Sequence, residues 1–363
     1  MPSLTRHDRA VGALMGAFIG DALGMGVHWY YNLEEMHKDH GDWVSGYTNP
    51  VAGRYHDALK AGDLTQAGYI LKLTMQAVVE SKGYNEAAFC QKLDNELFPK
   101  MNGEPMAGPG GSTSQSIRAV YRQRKAGIPW SETGSNADTT EAIERVLALG
   151  VLHADDLRSL AEDVTSNTNL TQNDELVVSL TVAYNAVLAL LVQGKPLDVS
   201  ITDRLFELVN SGALPFHSVT SGKLHPPAKG SADPPRAGKF SSPDGLITPS
   251  TCAAAAADSS NIRIEPASKV SLVYGMPCAV YHVLPAAYYL SARFNNDFES
   301  AVLHAVNGGG QNCARAMLTG ALVGAQVGFS GIPSRFVEGL TEQEELVKLA
   351  NDFADLMEDS PSA

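Results

Sequence analysis

The sequence predicts a predominantly α-helical fold in one domain, and three observations carry that prediction. Apolar residues recur at helical spacing along most of the chain, most clearly over residues 64–82 and 173–193. No stretch shows the apolar–polar alternation of a half-buried strand. Gly12, Gly16, Gly20 and Gly24 repeat every fourth residue, so they share one helix face on which a second backbone can come close.

Taken in order, residues 7–27 predict the first helix, and Arg9 and Asp21 within it argue for packing in a soluble core rather than a membrane dimer. A short helix around Leu33–His40 follows, then a loop to residue 62 rich in His, Tyr, Trp, Asn and Gly. Helices are expected over 64–82 and 85–97. A loop holding Gly103, Pro105, Gly108, Pro109, Gly110 and Gly111 then leads into a helix beginning near Ser112, where Ser and Thr can cap. Residues 137–150, 154–165 and 173–193 continue the helical pattern, the last capped at Asn173-Asp174. Residues 211–270 differ: Pro226, Pro227, Pro234, Pro235, Pro243 and Pro249 interrupt a Gly-, Ser- and Ala-rich stretch, which predicts a long irregular insertion. Helical pattern resumes over 279–293, 297–306 and 312–328.

The 363 residues are 44% hydrophobic, enough for a large core, and carry a net charge of −13. That acidity argues against nucleic acid or an anionic membrane as partner, while leaving room for a small phosphorylated ligand in a local pocket. Cys90, Cys252, Cys278 and Cys313 are scattered without a CxxC pair, so free thiols are expected rather than a zinc site or a disulfide framework. The N-terminus shows no signal-peptide core, and no run of about 18 uncharged apolar residues is read. A cytoplasmic protein that spans no membrane is the expectation.

Several segments together resemble the ADP-ribosylglycohydrolase family. Residues Gly16-Ala17-Phe18-Ile19-Gly20-Asp21-Ala22-Leu23-Gly24 are similar to its first signature. Gly62-Asp63-Leu64-Thr65-Gln66 looks like a reduced Thr-Asp-Asp-Thr motif, and Thr171-Gln172-Asn173-Asp174 like its Thr-His-x-Asp step. Leu284-Pro285-Ala286-Ala287, Phe298–Val302 and Asn307-Gly308-Gly309-Gly310 resemble the final helices and the Gly-Gly-Asp-Thr-Asp-Thr motif, with Gly320-Ala321-Leu322 fixing the register. The likeness runs over residues 10–335 apart from 211–270. It implies an orthogonal all-α bundle with a central cleft and, in most of the family, two Mg²⁺ or Mn²⁺ ions.

The departures bear on chemistry. His28 stands where the family has Glu; Gly62 and Leu64 replace two members of the second motif; Gln311, Asn312, Cys313 and Ala314 replace Asp, Thr, Asp and Thr. Magnesium needs hard oxygen ligands in near-octahedral order, so no binuclear metal centre and no cofactor is expected, with a single Mg²⁺ at Asp63 left open. The pattern is closest to a divergent branch of the family with Gly-Asp-x-Thr and a reduced last motif ending in Ala-Arg.

The candidate catalytic residues are Asp63, His28 and Asp21. Asp63 suits either a helix cap or a residual acid–base group. His28, within His28-Trp29-Tyr30-Tyr31, is either a titrating group in an aromatic cluster or a buried core histidine. Asp21 either faces the cleft or caps a helix. His56 and Asp57 are loop residues that can reach the cleft. Thr65, Asn307, Gln311, Asn312 and Arg315 are the candidate ligand-binding residues: amides and a guanidinium after three glycines can hold hydroxyls or a phosphate without a metal. Cys313 has no neighbouring His in sequence to activate it and reads as a packing residue. Ser112, Thr113 and Ser114 lack the strand-and-elbow context of a serine hydrolase. Three functions follow: cleavage of an N- or O-glycosidic bond of an ADP-ribosyl or related ribosyl compound, binding of a nucleotide-like ligand without catalysis, or a structural role of the kind that similarity to jellyfish J1 crystallins would allow.

Overall fold

Helix follows helix along the chain. The computed structural model describes residues 4–217, 229–230, 238–240, 244–258 and 261–358. Among them lie sixteen α-helices and no β-strand: α1 (Arg6–Met25), α2 (Leu33–His40), α3 (Gln66–Ser81), α4 (Glu86–Lys92), α5 (Gln115–Lys125), α6 (Glu141–Leu152), α7 (Leu157–Asn169), α8 (Glu175–Val192), α9 (Ile201–Asn210), α10 (Asp244–Ala257), α11 (Val270–Tyr274), α12 (Val280–Arg293), α13 (Phe298–Val306), α14 (Asn312–Val327), α15 (Ser334–Glu338) and α16 (Gln343–Glu358). Side-chain caps start many of them. Thr5 Oγ1 accepts the Asp8 N–H at α1, Ser114 Oγ the Ile117 N–H at α5, and Asp174 Oδ1 the Leu176 and Val177 N–H groups at α8.

The glycine repeat of α1 does what its spacing predicts. α1 and α14 run antiparallel in contact, with Gly12 against Gly324, Gly16 against Gly320, Gly20 against Ala316 and Gly24 against Cys313. A methyl group at Gly16 or Gly20 would overlap a carbonyl oxygen of α14, and one at Gly320 or Gly324 a carbonyl oxygen of α1. Around this pair pack α3, α6, α8, α12, α13 and α16. A smaller cluster, built from Phe89, Leu93, Phe98, Ile117 and Tyr121, joins α3, α4 and α5.

Two readings of the sequence need correction. Residues 211–270 are not uniformly irregular: 244–257 form α10, which packs on α12, α9 and α8. The alanine run 253–257 favours helix, and burial of Leu246, Cys252 and Ala253 overrides the break expected at Pro249. Residues 218–228, 231–237, 241–243 and 259–260 of the expected insertion lie outside the described residues. Helix α8 is also long and apolar enough to cross a membrane, which the search for an uninterrupted apolar run missed because Ser179, Thr181 and Asn185 break it up. It is 83% buried and serves as a core helix of the bundle, covered by α6, α7 and α14. Helices α9, α11, α15 and α16 are further elements that the sequence analysis does not name.

Candidate functional site

Four helix N-termini converge on one cleft of about 210 Å³. Its walls come from the start of α3 (Thr65, Gln66), of α5 (Ser114, Arg118), of α6 (Glu141, Glu144) and of α14 (Gln311, Cys313), with His28, Trp29 and His56 closing one side. Each N-terminus presents unpaired N–H groups and a partial positive charge. Three are neutralised from within the protein. Asp21, on α1, takes the Thr65 N–H at 2.8 Å and the Thr65 hydroxyl at the head of α3. Glu141 takes the Gln115 and Ser116 N–H groups of α5, each at 2.9 Å. Gln172 Oε1 takes the Ala142 N–H of α6 at 2.8 Å, while its Nε2 donates to the carbonyls of Ala137 and Thr139. The head of α14 has no side-chain cap.

Glu144 is the group the sequence analysis did not single out. It lies one turn beyond Glu141 on α6, is buried, and accepts a hydrogen bond from Thr140 Oγ1 at 2.6 Å through Oε1. Burial is the main force pushing its carboxyl up to about 8, with the neighbouring charge of Glu141 adding to it. Around neutral pH it is a carboxylic acid holding a proton, beside a Glu141 fixed by backbone amides. The sequence analysis places both only within the helix expected over 137–150. Only the fold shows that both line the cleft.

The histidines form a chain whose proton positions follow from its ends. The Ser112 N–H donates to His56 Nδ1 at 3.3 Å, so that nitrogen carries a lone pair. At the other end Gln311 Oε1, an acceptor only, lies 3.1 Å from His28 Nε2 and also accepts from Trp29 Nε1, so His28 Nε2 carries a hydrogen. Between them His56 Nε2 donates to His28 Nδ1 at 2.7 Å. Burial holds both rings below the usual imidazole range, His56 at about 4, and the pair is neutral. Neither ring has a lone pair left for substrate, so His28 positions Gln311 rather than acting as a base. With Oε1 taken, the Gln311 amide turns its two N–H bonds outward, and Nε2 has no partner among the described residues. Trp29 and His56 hold φ of 61° and 69°, left-handed values that non-glycine residues rarely adopt. Strain of that kind persists where packing over-determines it, as at binding sites.

The other predicted residues separate into those at the cleft and those behind it. Thr65 and Gln311 line it; Asp21 sits directly behind Thr65, its carboxyl pushed up to about 6 by burial against the pull of the Thr65 and Gly68 hydrogen bonds. Asp63 is turned away. One of its oxygens accepts from Thr341 Oγ1 at 2.7 Å and the other from the Lys60 N–H at 3.0 Å, which ties the loop to the C-terminal segment. Neighbouring Gly62 has φ 92° and no room for a Cβ against the Gly339 carbonyl, so glycine there is a backbone requirement. Asn307 pairs with both the N–H and the carbonyl of Val44, each at 2.8 Å. Asn312 Nδ2 donates to Val27 O at 2.9 Å, and the buried Arg315 donates to the carbonyls of Ala305 and Gly309. These three brace the glycine turn from behind and do not face the cleft. Cys313 does line it, but burial drives its thiol well above the usual range, against a thiolate role.

Cleft residues that went unread as functional groups include Gln66, Arg118, Glu141 and Glu144. Gln66 Oε1 accepts the Ser114 N–H at 2.9 Å, leaving a buried Nε2 with no partner. Arg118 donates to the Thr113 carbonyl and is in no ion pair with a described residue. A binuclear hard-metal site does not fit these donors. Among the described residues no three His, Cys, Asp or Glu side chains gather as metal ligands, Asp63 faces away, Asp21 and Glu141 are committed to backbone N–H groups, and burial keeps Glu144 protonated.

The family model for ADP-ribosylglycohydrolase matches residues 2–363, and the chain belongs to that family. It is 24% identical over 343 residues to an uncharacterized protein of Archaeoglobus fulgidus, covering 94% of this chain and 95% of that one. A solved structure titled ADP-ribosylglycohydrolase-related protein complex superposes with a TM-score of 0.59 at 17% identity, over 97% of this chain and 99% of its own, a likeness of fold.

Proposed function

We propose that this protein hydrolyses an N- or O-glycosidic bond of an anionic ribosyl compound, ADP-ribosyl or related, without a binuclear magnesium centre. The observation that carries the reading is the Glu141–Glu144 pair: two carboxyls one helical turn apart on a cleft wall, one committed to helix amides and the other buried and pushed up to about 8. A carboxyl that holds its proton beside a second carboxyl fixed by backbone amides offers an acid and a partner for the charge that develops on the sugar. Glu144 donates its proton to the leaving nitrogen or oxygen as the bond to the anomeric carbon breaks. Glu141 faces the positive charge that builds on the sugar, and water adds to the anomeric carbon and gives its proton to the Glu144 carboxylate, which restores the acid. The Nε2 group of Gln311 supplies a donor for a sugar hydroxyl. Arg118 and the uncapped head of α14 suit an anionic group.

The test is hydrolysis of a ribosyl O-glycoside and its 5-phosphate in the presence of a chelator, by wild type and Glu144→Gln. The reading requires chelator-resistant turnover that the variant loses. Binding of ADP-ribose by both proteins with turnover by neither would leave a ligand-binding relative instead.

A further inference from the structure

Arg118 does not stand alone at the cleft. It opens a line of cations on α5, where Arg118, Arg122 and Lys125 recur at the spacing that puts side chains on one helix face. Gln115 and Arg118 line the cleft, and the exposed Arg122 and Lys125 follow one and two turns further along the helix. At 1.5 Å per residue the line runs about 10 Å away from the cleft wall.

None of the three forms an ion pair with a described residue. Arg118 donates to the carbonyl and hydroxyl of Thr113, Arg122 to the Gly103 carbonyl at 2.7 Å, and Lys125 to the Tyr121 hydroxyl at 3.3 Å. The acids at the edges of the line are committed elsewhere. Glu141 holds the Gln115 and Ser116 N–H groups, and Asp94 pairs with Arg124 at 2.8 Å. In a chain with 40 acidic residues against 27 basic ones, three cations in line without an acid are a local reversal of sign. That reversal is continuous with the cleft. One phosphate cannot span about 10 Å, whereas a run of several can.

We propose that the ligand of this cleft carries a run of phosphates that lies along Arg118, Arg122 and Lys125, as in a free nucleoside oligophosphate. The inference rests on the reading of the cleft as the site of an anionic ribosyl compound. Such compounds carry their charge as phosphate esters, and guanidinium groups pair with phosphate through two parallel hydrogen bonds. A nucleic-acid strand would continue past Lys125 over a protein of net charge −13, so a short oligophosphate is the better match.

The test measures binding of AMP and adenosine 5′-tetraphosphate to the full chain in chelator, by calorimetry at several salt concentrations. The two share base and ribose, so their difference reads the added phosphates. The tetraphosphate should bind about tenfold or more tightly, and its log affinity should fall more steeply with log salt, by about one to two in slope. Arg122→Gln with Lys125→Gln, both at exposed positions, should remove most of that advantage and of the extra slope while AMP binding stays unchanged. Lys125→Glu alone, which keeps the Arg122 bond to Gly103, should lower tetraphosphate affinity several-fold. A tetraphosphate preference that survives both variants, or tighter binding by polyglutamate or a single-stranded oligonucleotide, would overturn the proposal. AMP binding with no gain from the added phosphates would overturn it alone; binding of neither nucleotide would overturn the reading of the cleft with it.

Discussion

The proposed reaction rests on one titrating group, Glu144, and its environment fixes the sign of two effects. As a general acid it acts protonated, so kcat/KM should fall as pH rises through about 8. Glu144→Gln should lower kcat by about 10²–10⁴ and abolish that alkaline limb, measured as a pH–rate profile. Stability follows the same proton. In the unfolded chain a glutamate ionises near 4.5, whereas in the folded protein Glu144 holds its proton to about 8. Between those values the folded state binds more protons, so its stability drops as pH rises, by about 1.4 kcal/mol per unit. The lowered histidines oppose this trend below about 6.5 and leave pH 6.5–8 to Glu144. Urea unfolding should therefore show wild type losing about 2 kcal/mol across that window and Glu144→Gln holding level. Asp63→Ala, by contrast, should leave turnover unchanged and cost about 0.5–1.5 kcal/mol for the lost Thr341 tie. Of the residues named through the likeness, Thr65 and Gln311 line the cleft. The likeness could not tell Gln311, which lines it, from Arg315 four residues on, because one helical turn separates lining from bracing. Glu144 stayed hidden because its environment is assembled from segments far apart in sequence.

Among the elements, the α1–α14 pair was the most legible. A four-residue glycine period on one helix needs a smooth partner, and the second set, Gly320 and Gly324, stands out in the same way near the other end of the chain. Packing this close leaves no slack for a side chain: Gly16→Val or Gly320→Val should destabilise by about 1–3 kcal/mol or more, read from chemical unfolding. Because both helices end at the cleft, His28 after α1 and Gln311 before α14 should then lose register, so the same variants should weaken ligand binding. Helix α10 was illegible for the opposite reason. Its proline and alanines carry no periodic apolar signal, and its place in the bundle comes from what α12 offers it. Helix α8 was legible as a helix but not as membrane-like in length and composition.

At the scale of the whole molecule, the puzzle is how a chain with net charge −13 would hold an anionic ligand. The bundle answers by aiming four helix N-termini inward, sealing three with its own side chains and leaving α14 and Arg118 for the ligand. In the proposed reading, fixed dipoles and one guanidinium stand in for the cation the family usually employs. Two consequences separate this arrangement from a metal centre. Arg118→Ala should weaken an anionic ligand by about 1.5–3 kcal/mol without lowering the melting temperature appreciably, since its bonds go only to the carbonyl and hydroxyl of nearby Thr113. A thermal-shift titration then decides the question of metal. A ligand at a hundred times its dissociation constant stabilises the native state by about 2.7 kcal/mol. ADP-ribose should raise the melting temperature to the same extent with chelator or with Mg²⁺ or Mn²⁺, and either metal alone should leave it unmoved. A shift driven by metal alone would mean that the cleft gathers ligands its present geometry does not bring together, and the metal-free mechanism would fall with it.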